Sequence, residues 1–330
     1  MTSSTISNPS HLEPSQLGTK EYWDNLYTTE MANHAQDPSD EGTVWFDDSG
    51  AEAKMLSFLR RKVVKEKLLL GEEVTESNCS FLDLGTGNGH LLFALRGDGV
   101  GDSDGDGGSI DSEGESEPER SGGGGRELEG GGDGEGEALE GWGGRMLGVD
   151  YSARSVEFAK RIARDKGYGE GSEPRKEVEF LKWDIMSEDP SPGVLSGEQA
   201  RGWDVVLDKG TFDAISLSEG RDECGRRVCE GYCGRVVPLI REGGVLLVTS
   251  CNWTEEELER WFETGEAVGQ LVGSGVGLEL VGDTPGMLNS TSQNSRESVT
   301  SSFASEQQAM LAFLGRGTSD ACSIYALKPS

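Results

Sequence analysis

Leu82 to Gly89 reads LDLGTGNG: an apolar run, three glycines spaced by one residue, then the helix-like HLLFALR. No other feature narrows the architecture as much. A glycine motif set between a strand and a helix belongs to an α/β unit, where the turn aims free N–H groups at a ligand. Gly85, Gly87 and Gly89, with Thr86 and Asn88 between them, are therefore candidate ligand-binding residues. Taken alone, such a turn serves packing as readily as binding.

The next strand supplies the test. A nucleoside-binding unit carries a carboxylate at the end of its second strand, about 20 residues downstream, to accept both ribose hydroxyls. The candidate is Asp150 in LGVDYS, which lies 65 residues beyond Gly85. Between them, residues 97–144 hold fifteen Asp or Glu against two Arg, and glycine is the commonest residue. That composition cannot bury enough apolar surface to offset its ordering entropy, so the segment reads as a disordered, acidic, Gly-rich insert. Excising its 48 residues brings the separation to 17. Insert and motif explain each other, since a solvent-facing connection tolerates added length. Residues 1–16 read as a disordered polar leader and 284–305 as a flexible loop. This leaves 17–96 and 145–330 as one domain.

Short apolar runs alternate with helical patterns along that domain, which predicts an α/β fold: a mostly parallel sheet with helices on both faces. Strands are expected at 80–84, 145–149, 178–182, 204–207 and 245–249, with two more at 278–281 and 323–327. Helices are expected at 51–70, 89–96, 155–166, 223–241 and 254–263, the last opened by a Thr254–Glu257 capping box. Ligands of open α/β sheets sit at the carboxyl ends of the strands. Two further acids fall there: Asp184 in FLKWDIM, with Ile185 able to flank an adenine, and Asp208 in VVLDKGTFDAI. Tyr151 and Ser152 follow Asp150 in the same turn. The glycines run GxGxG into His90 rather than GxGxxG, so a pyrophosphate is not indicated and a nicotinamide oxidoreductase is disfavoured. A ligand without phosphates fits better, and S-adenosylmethionine is the common one.

The formal net charge is −30, of which residues 97–144 carry −13. An acidic surface disfavours nucleic acid and suits a basic protein partner. No apolar run of about eighteen residues suggests a membrane span, and no signal-peptide pattern opens the chain. The six cysteines show no framework or paired zinc spacing; the CGRRVCEGYC cluster reads as one face of an amphipathic helix, with no metal site. A monomer in the cytoplasm is the expectation.

The blocks LDLGTGNG, GVDYS, WDI and DKGTFDAISL together resemble the class I S-adenosylmethionine-dependent methyltransferases, whose fold is a Rossmann-like seven-stranded sheet. The leader LGTKEYWDNLYTTEMANHAQDPSDEGTVWFDD resembles that of the lysine methyltransferases acting on translation elongation factor 1-alpha. The resemblance implies S-adenosylmethionine as cofactor and that elongation factor as protein substrate. It implies that Gly85, Gly87 and Asp150 hold the donor's amino-acid and ribose parts, and that Asp184 and Ile185 hold its adenine. Trp45 and Phe46 would lie at the mouth of the cofactor site under a leader folded over it, and Asp208 through Phe212 would wall the lysine channel. On that reading Phe212, Trp253 and Trp45 are the aromatics of the channel. Asp208 or Asp213 positions the amine without a dedicated base, while Lys209 and His90 read as packing or capping groups.

Overall fold

The computed structural model describes residues 9–67, 70–97, 141–173, 175–190, 192–263, 278–280 and 323–329. Five strands form its parallel centre: β1 (Phe81–Leu84), β2 (Met146–Asp150), β3 (Glu179–Lys182), β4 (Trp203–Lys209) and β5 (Ile240–Ser250). Their order is β3-β2-β1-β4-β5, so the chain reverses direction across the sheet between β1 and β4. Two short strands, β6 (Leu278–Leu280) and β7 (Ser323–Pro329), continue the edge; β7 runs antiparallel to β5, and β6 antiparallel to β7.

Helices cover both faces. The chain order is α1 (Lys20–Gln36), α2 (Ala51–Leu59), α3 (His90–Leu95), α4 (Ala153–Asp165), α5 (Thr211–Ser216), α6 (Tyr232–Val236) and α7 (Glu255–Glu263). Side chains alternate along a strand, so each strand feeds two cores. Phe81, Met146, Phe180, Val205 and Leu207 meet α2, α3 and α4 on one face. Leu82, Leu84, Leu147, Val149 and Val206 meet α6 and α7 on the other. In α4 the buried Ser155, Val156, Phe158, Ala159, Ile162 and Ala163 form one helical stripe.

Several boundaries differ from the sequence expectations. The leader is ordered earlier than residue 17: the Ser15 amide donates to Leu217 O at 3.0 Å, and the His11 ring packs 5.7 Å from Trp261. Residues 1–8 and the expected loop at 284–305 lie outside the described residues. The long helix expected over 223–241 is instead a hairpin-like turn at 221–227, two short 3-10 segments and α6. Asp222 accepts from the Cys224 and Arg226 amides, and Pro238 stops the helix, so β5 already begins at Ile240. The capping box forms as expected, with the Thr254 amide donating to Glu257 Oε2 at 3.0 Å and the Glu257 amide donating to Thr254 Oγ1 at 3.4 Å.

The far boundary of the insert also moves. Residues 98–140 lie outside the described residues, but 141–144 belong to the core. Trp142 is 1% exposed and meets Phe81 edge-on at 5.1 Å. Its amide donates to Leu95 O at 2.8 Å, while its carbonyl accepts from the Arg96 guanidinium at 2.5 Å. Gly141 lies directly against the backbone of Arg96 and Gly97, so the chain leaves and rejoins the domain at one point. Burying a Trp of this kind stabilises by about 3–5 kcal/mol against Ala. A chain with 98–140 removed is therefore expected to melt within a few degrees of the full chain, whereas one also lacking 141–144 melts far lower; calorimetric melting of both measures the difference.

Candidate functional site

One cavity opens at the carboxyl ends of β1 to β4, and the glycine turn is its floor. Gly85, Gly87 and Gly89 all have positive φ, between 58° and 83°. At Gly87 both the conformation and the space demand glycine: a Cβ there would lie 2.7 Å from the Tyr27 hydroxyl. The turn is held by its neighbour strand. The Gly87 amide donates to Asp150 Oδ2 at 3.2 Å, the Ser152 amide to Asp150 Oδ1 at 2.8 Å, and the Ser155 hydroxyl to Gly87 O at 2.8 Å. Asp150 is only 6% exposed, and burial pushes its carboxyl up to about 6 despite the two amides. Asp184, on the far side of β2, closes an Asx-type turn by accepting from the Met186 amide and the Ser187 hydroxyl.

The leader supplies the opposite wall. Trp23 and Tyr27 of α1, then Trp45 and Phe46, line the same cavity. Trp23 meets Trp45 edge-on at 5.1 Å and donates from its indole to Leu17 O at 2.7 Å. Asp24 accepts from the Ser152 hydroxyl at 2.6 Å, and Asn88 Nδ2 reaches Glu41 O at 2.9 Å and Thr43 O at 3.3 Å. The leader is thereby stitched to both the glycine turn and the Asp150 turn.

Strand alternation sorts the DKGTFD block. Asp208 points to the α6 face, fully buried, accepting from Tyr232 Oη at 2.6 Å and from the Thr211 and Phe212 amides. Lys209 points to the other face, where it donates to Trp45 O at 2.9 Å and lies 3.3 Å from Glu52 Oε1. His90 donates from Nδ1 to Glu52 Oε2 at 2.6 Å. Burial opposes ionisation of Glu52, yet the His90 hydrogen bond and the Lys209 ammonium hold its carboxyl below the usual value. The same hydrogen bond raises His90.

Of the residues singled out from sequence, Trp45, Gly85, Thr86, Gly87, Asn88, Asp150, Tyr151, Asp184 and Ile185 come together on this one cavity. Gly89 and Ser152 stand behind it, packing on Phe180 and tying the leader. Of the channel residues expected from the resemblance, Trp45, Lys209, Gly210 and Thr211 line it, whereas Asp208, Phe212, Asp213 and Trp253 do not. Asp208 is turned away as described, and Asp213 accepts from the Ser250 hydroxyl at 2.6 Å and the Cys251 amide at 2.9 Å. Phe212 and Trp253 stack 6.0 Å apart within the core layer that includes Tyr232, Trp261 and Phe262. Conversely, sequence reasoning missed Trp23, Tyr27, Glu52 and Asp83 and read Lys209 as packing. Asp83 was legible in LDLG as a polar residue inside an apolar strand.

The residues suit a nucleoside bearing an amino-acid tail: a carboxylate at the tip of β2, a glycine floor without room for side chains, and aromatic walls. The Trp45 indole N–H, buried on this cavity, has no hydrogen-bond partner within the protein. No cluster of His, Cys, Asp or Glu able to hold a metal occurs among the described residues, and none of their helices is long and apolar enough to cross a membrane.

No family model matches the chain. Protein-lysine N-methyltransferase EFM4 of Saccharomyces cerevisiae is 34% identical over 253 residues, covering 77% of this chain and 83% of the relative. Its Schizosaccharomyces pombe counterpart is 35% identical over 254 residues, with the same coverage of 77% and 83%. Human EEF1A lysine methyltransferase 2 is 27% identical over 253 residues, covering 76% of this chain and 75% of the relative. Among solved structures, a magnesium protoporphyrin IX methyltransferase from Synechocystis aligns over 94% of this chain and 96% of its own, at 12% identity and a TM-score of 0.41. The chain is a methyltransferase, and it belongs to the family of protein-lysine N-methyltransferases that includes EFM4 and EEF1A lysine methyltransferase 2. It is an enzyme of that kind, and its cofactor is S-adenosylmethionine.

The buried carboxyls give the fold a pH signature. Burial raises Asp83 and Asp208 to about 7 and Asp150 and Asp213 to about 6, all above their value in an unfolded chain. Each then favours folding most when protonated, and that contribution is lost as pH rises through 6 to 7. His90, also raised, loses its contribution in the same direction. The ligand-free protein is expected to melt several degrees higher at pH 6 than at pH 8. A scanning-calorimetry series showing a flat or rising midpoint over that range contradicts this electrostatic account.

Proposed function

We propose that this chain transfers a methyl group from S-adenosylmethionine to a lysine side chain of translation elongation factor 1-alpha, the substrate for which its relative EEF1A lysine methyltransferase 2 is named. The observation that carries the reading is the convergence of the glycine turn, Asp150 and Asp184 on one cavity, in a chain 34% identical to EFM4 over most of both lengths. On this reading Asp150 accepts the ribose hydroxyls, Asp184 and Ile185 face the adenine, and the turn Gly85–Gly87 receives the amino-acid part. The sheet order β3-β2-β1-β4 then puts the reacting end of the donor beside the tip of β4.

S-adenosylmethionine supplies an electrophilic methyl group that a neutral amine attacks in line, the C–S electron pair staying on sulfur. The protein's share is positioning and dehydration. Lysine has an unperturbed pKa of about 10.4, and an apolar, partly closed cavity favours its neutral form. Holding the two reactants aligned supplies much of the rate. No side chain on the cavity is assigned as a dedicated base. The chain would act as a monomer in the cytoplasm, where the thiols of Cys79, Cys224, Cys229, Cys233 and Cys251 stay reduced, and without a role for nucleic acid. The acidic stretch ending before Gly141 would be dispensable for turnover. It joins the domain beyond α3, ahead of β2, at the end opposite the cavity.

Labelled S-adenosylmethionine incubated with the enzyme and purified elongation factor 1-alpha is expected to label that protein on lysine, and an unlabelled product would defeat the reading. Hydrogen bonds to a charged group contribute about 1.5–3 kcal/mol each, so Asp150→Ala should weaken S-adenosylhomocysteine binding by at least about tenfold in calorimetric titration.

A further inference from the structure

Phe46 is the described chain's aromatic residue with a left-handed backbone, φ +64°. A bulky side chain at positive φ is a genuine outlier, costing energy that glycine would not. The strain persists because the backbone is pinned on both sides of the residue. The Trp45 carbonyl accepts from Lys209 Nζ at 2.9 Å. The Phe46 carbonyl accepts from the Ser49 hydroxyl at 2.8 Å and from the Ala51 amide at 3.2 Å. Upstream, the Thr43 amide donates to Glu30 Oε1 at 2.9 Å, and the Thr43 carbonyl accepts from Asn88 Nδ2 at 3.3 Å.

The pinned ring meets the residue that follows β4 with its Cε2–Cζ edge. A Cβ built on Gly210 would fall 2.6 Å from Phe46 Cε2 and 2.8 Å from Cζ, so Gly210, itself at φ +81°, is the floor on which the ring rests. Phe46 also lines the cavity. Its neighbour Trp45 is engaged with Trp23 in the leader's aromatic cluster, and Tyr151 and Trp183 stand towards β2 and β3, the side of the nucleoside. Phe212 and Trp253, the aromatics expected in a channel beside β4, are core residues instead. Among the cavity's aromatic residues, Phe46 is the one packed on Gly210 at the tip of β4.

We propose that Phe46 is the wall of the target-lysine channel: its ring packs along the aliphatic part of the incoming side chain and keeps water from the amine at the β4 tip. The proposal rests on the cavity's being the S-adenosylmethionine site. It assigns to the leader a role in substrate positioning that is separate from cofactor retention. A neutral amine gains from an apolar, dry approach, because desolvation disfavours its charged form. The strained backbone is the cost of presenting the ring at that point.

The test uses the full chain with Phe46→Gly and Phe46→Asn, both of which accept a left-handed backbone, and Phe46→Tyr, which keeps the ring. S-adenosylhomocysteine binding is measured by calorimetry, folding by thermal melting, and methylation of purified elongation factor 1-alpha by initial rates. The expected result is donor-site affinity within about threefold of native in all three variants. Phe46→Gly should melt within a few degrees of the native chain, the relief of left-handed strain offsetting the lost ring contacts. Its kcat/KM and that of Phe46→Asn should fall by about tenfold or more, while Phe46→Tyr stays within about threefold. Full turnover in both ring-less variants overturns the proposal. So does a fall in S-adenosylhomocysteine affinity that parallels the loss of turnover, which would make Phe46 part of the cofactor wall. Failure of the native chain to bind S-adenosylhomocysteine would instead bring down the reading of the cavity itself, and the proposal with it.

Discussion

The buried carboxylate of Asp150 is the interaction on which the site depends. One of its oxygens takes the Gly87 amide and the other the Ser152 amide, so a single side chain fixes the turn after β1 against the turn after β2. It also organises the start of α4, whose N-cap Ser152 accepts from Ser155, while Ser155 returns its hydroxyl to Gly87 O. Such a group is costly to bury. Both amides favour its ionised form, but desolvation outweighs them and holds the carboxyl near 6. A ligand that donates further hydrogen bonds to Asp150 would recover part of that cost.

The leader completes what the sheet begins. An open α/β sheet offers a crevice at its strand tips and nothing above it. Here α1 and the segment 41–46 close that side, attached at Ser152, Asn88 and Lys209 rather than at one hinge. Two neighbours on β4 meet opposite fates. Asp208 faces Tyr232 and is consumed by packing, whereas Lys209 faces the leader and holds Trp45. Pleating of the strand decides this, not the chemistry of either residue.

Much of the centre was legible before any coordinates. The five parallel strands, the glycine turn and Asp150 follow from apolar runs, glycine spacing and one excised segment, because each is a local pattern read against strong backbone preferences. The misses have physical reasons. Helix α1 buries Tyr27, Glu30 and His34, two of them polar, so hydrophobic periodicity could not announce it. Trp142 was hidden by the glycines around it, and its core role depends on Phe81 and Arg96, distant in sequence. The expected helix over 223–241 carried cysteines at helical spacing but also Gly225, with a left-handed backbone, and Pro238, and those breakers prevailed. Placing Phe212 and Trp253 in the channel failed because residue type does not say which side of a packed layer an aromatic faces.

The central claim is that the cavity over the glycine turn holds S-adenosylmethionine, with Asp150 on the ribose and the reacting end at β4. A crystal structure of the full chain with S-adenosylhomocysteine tests it most directly. The account predicts ribose hydroxyls within hydrogen-bond distance of the Asp150 carboxylate, adenine beside Ile185, and the sulfur towards Gly210 under the leader. Ligand density elsewhere, or a nucleoside in this cavity with no contact to Asp150, would contradict it.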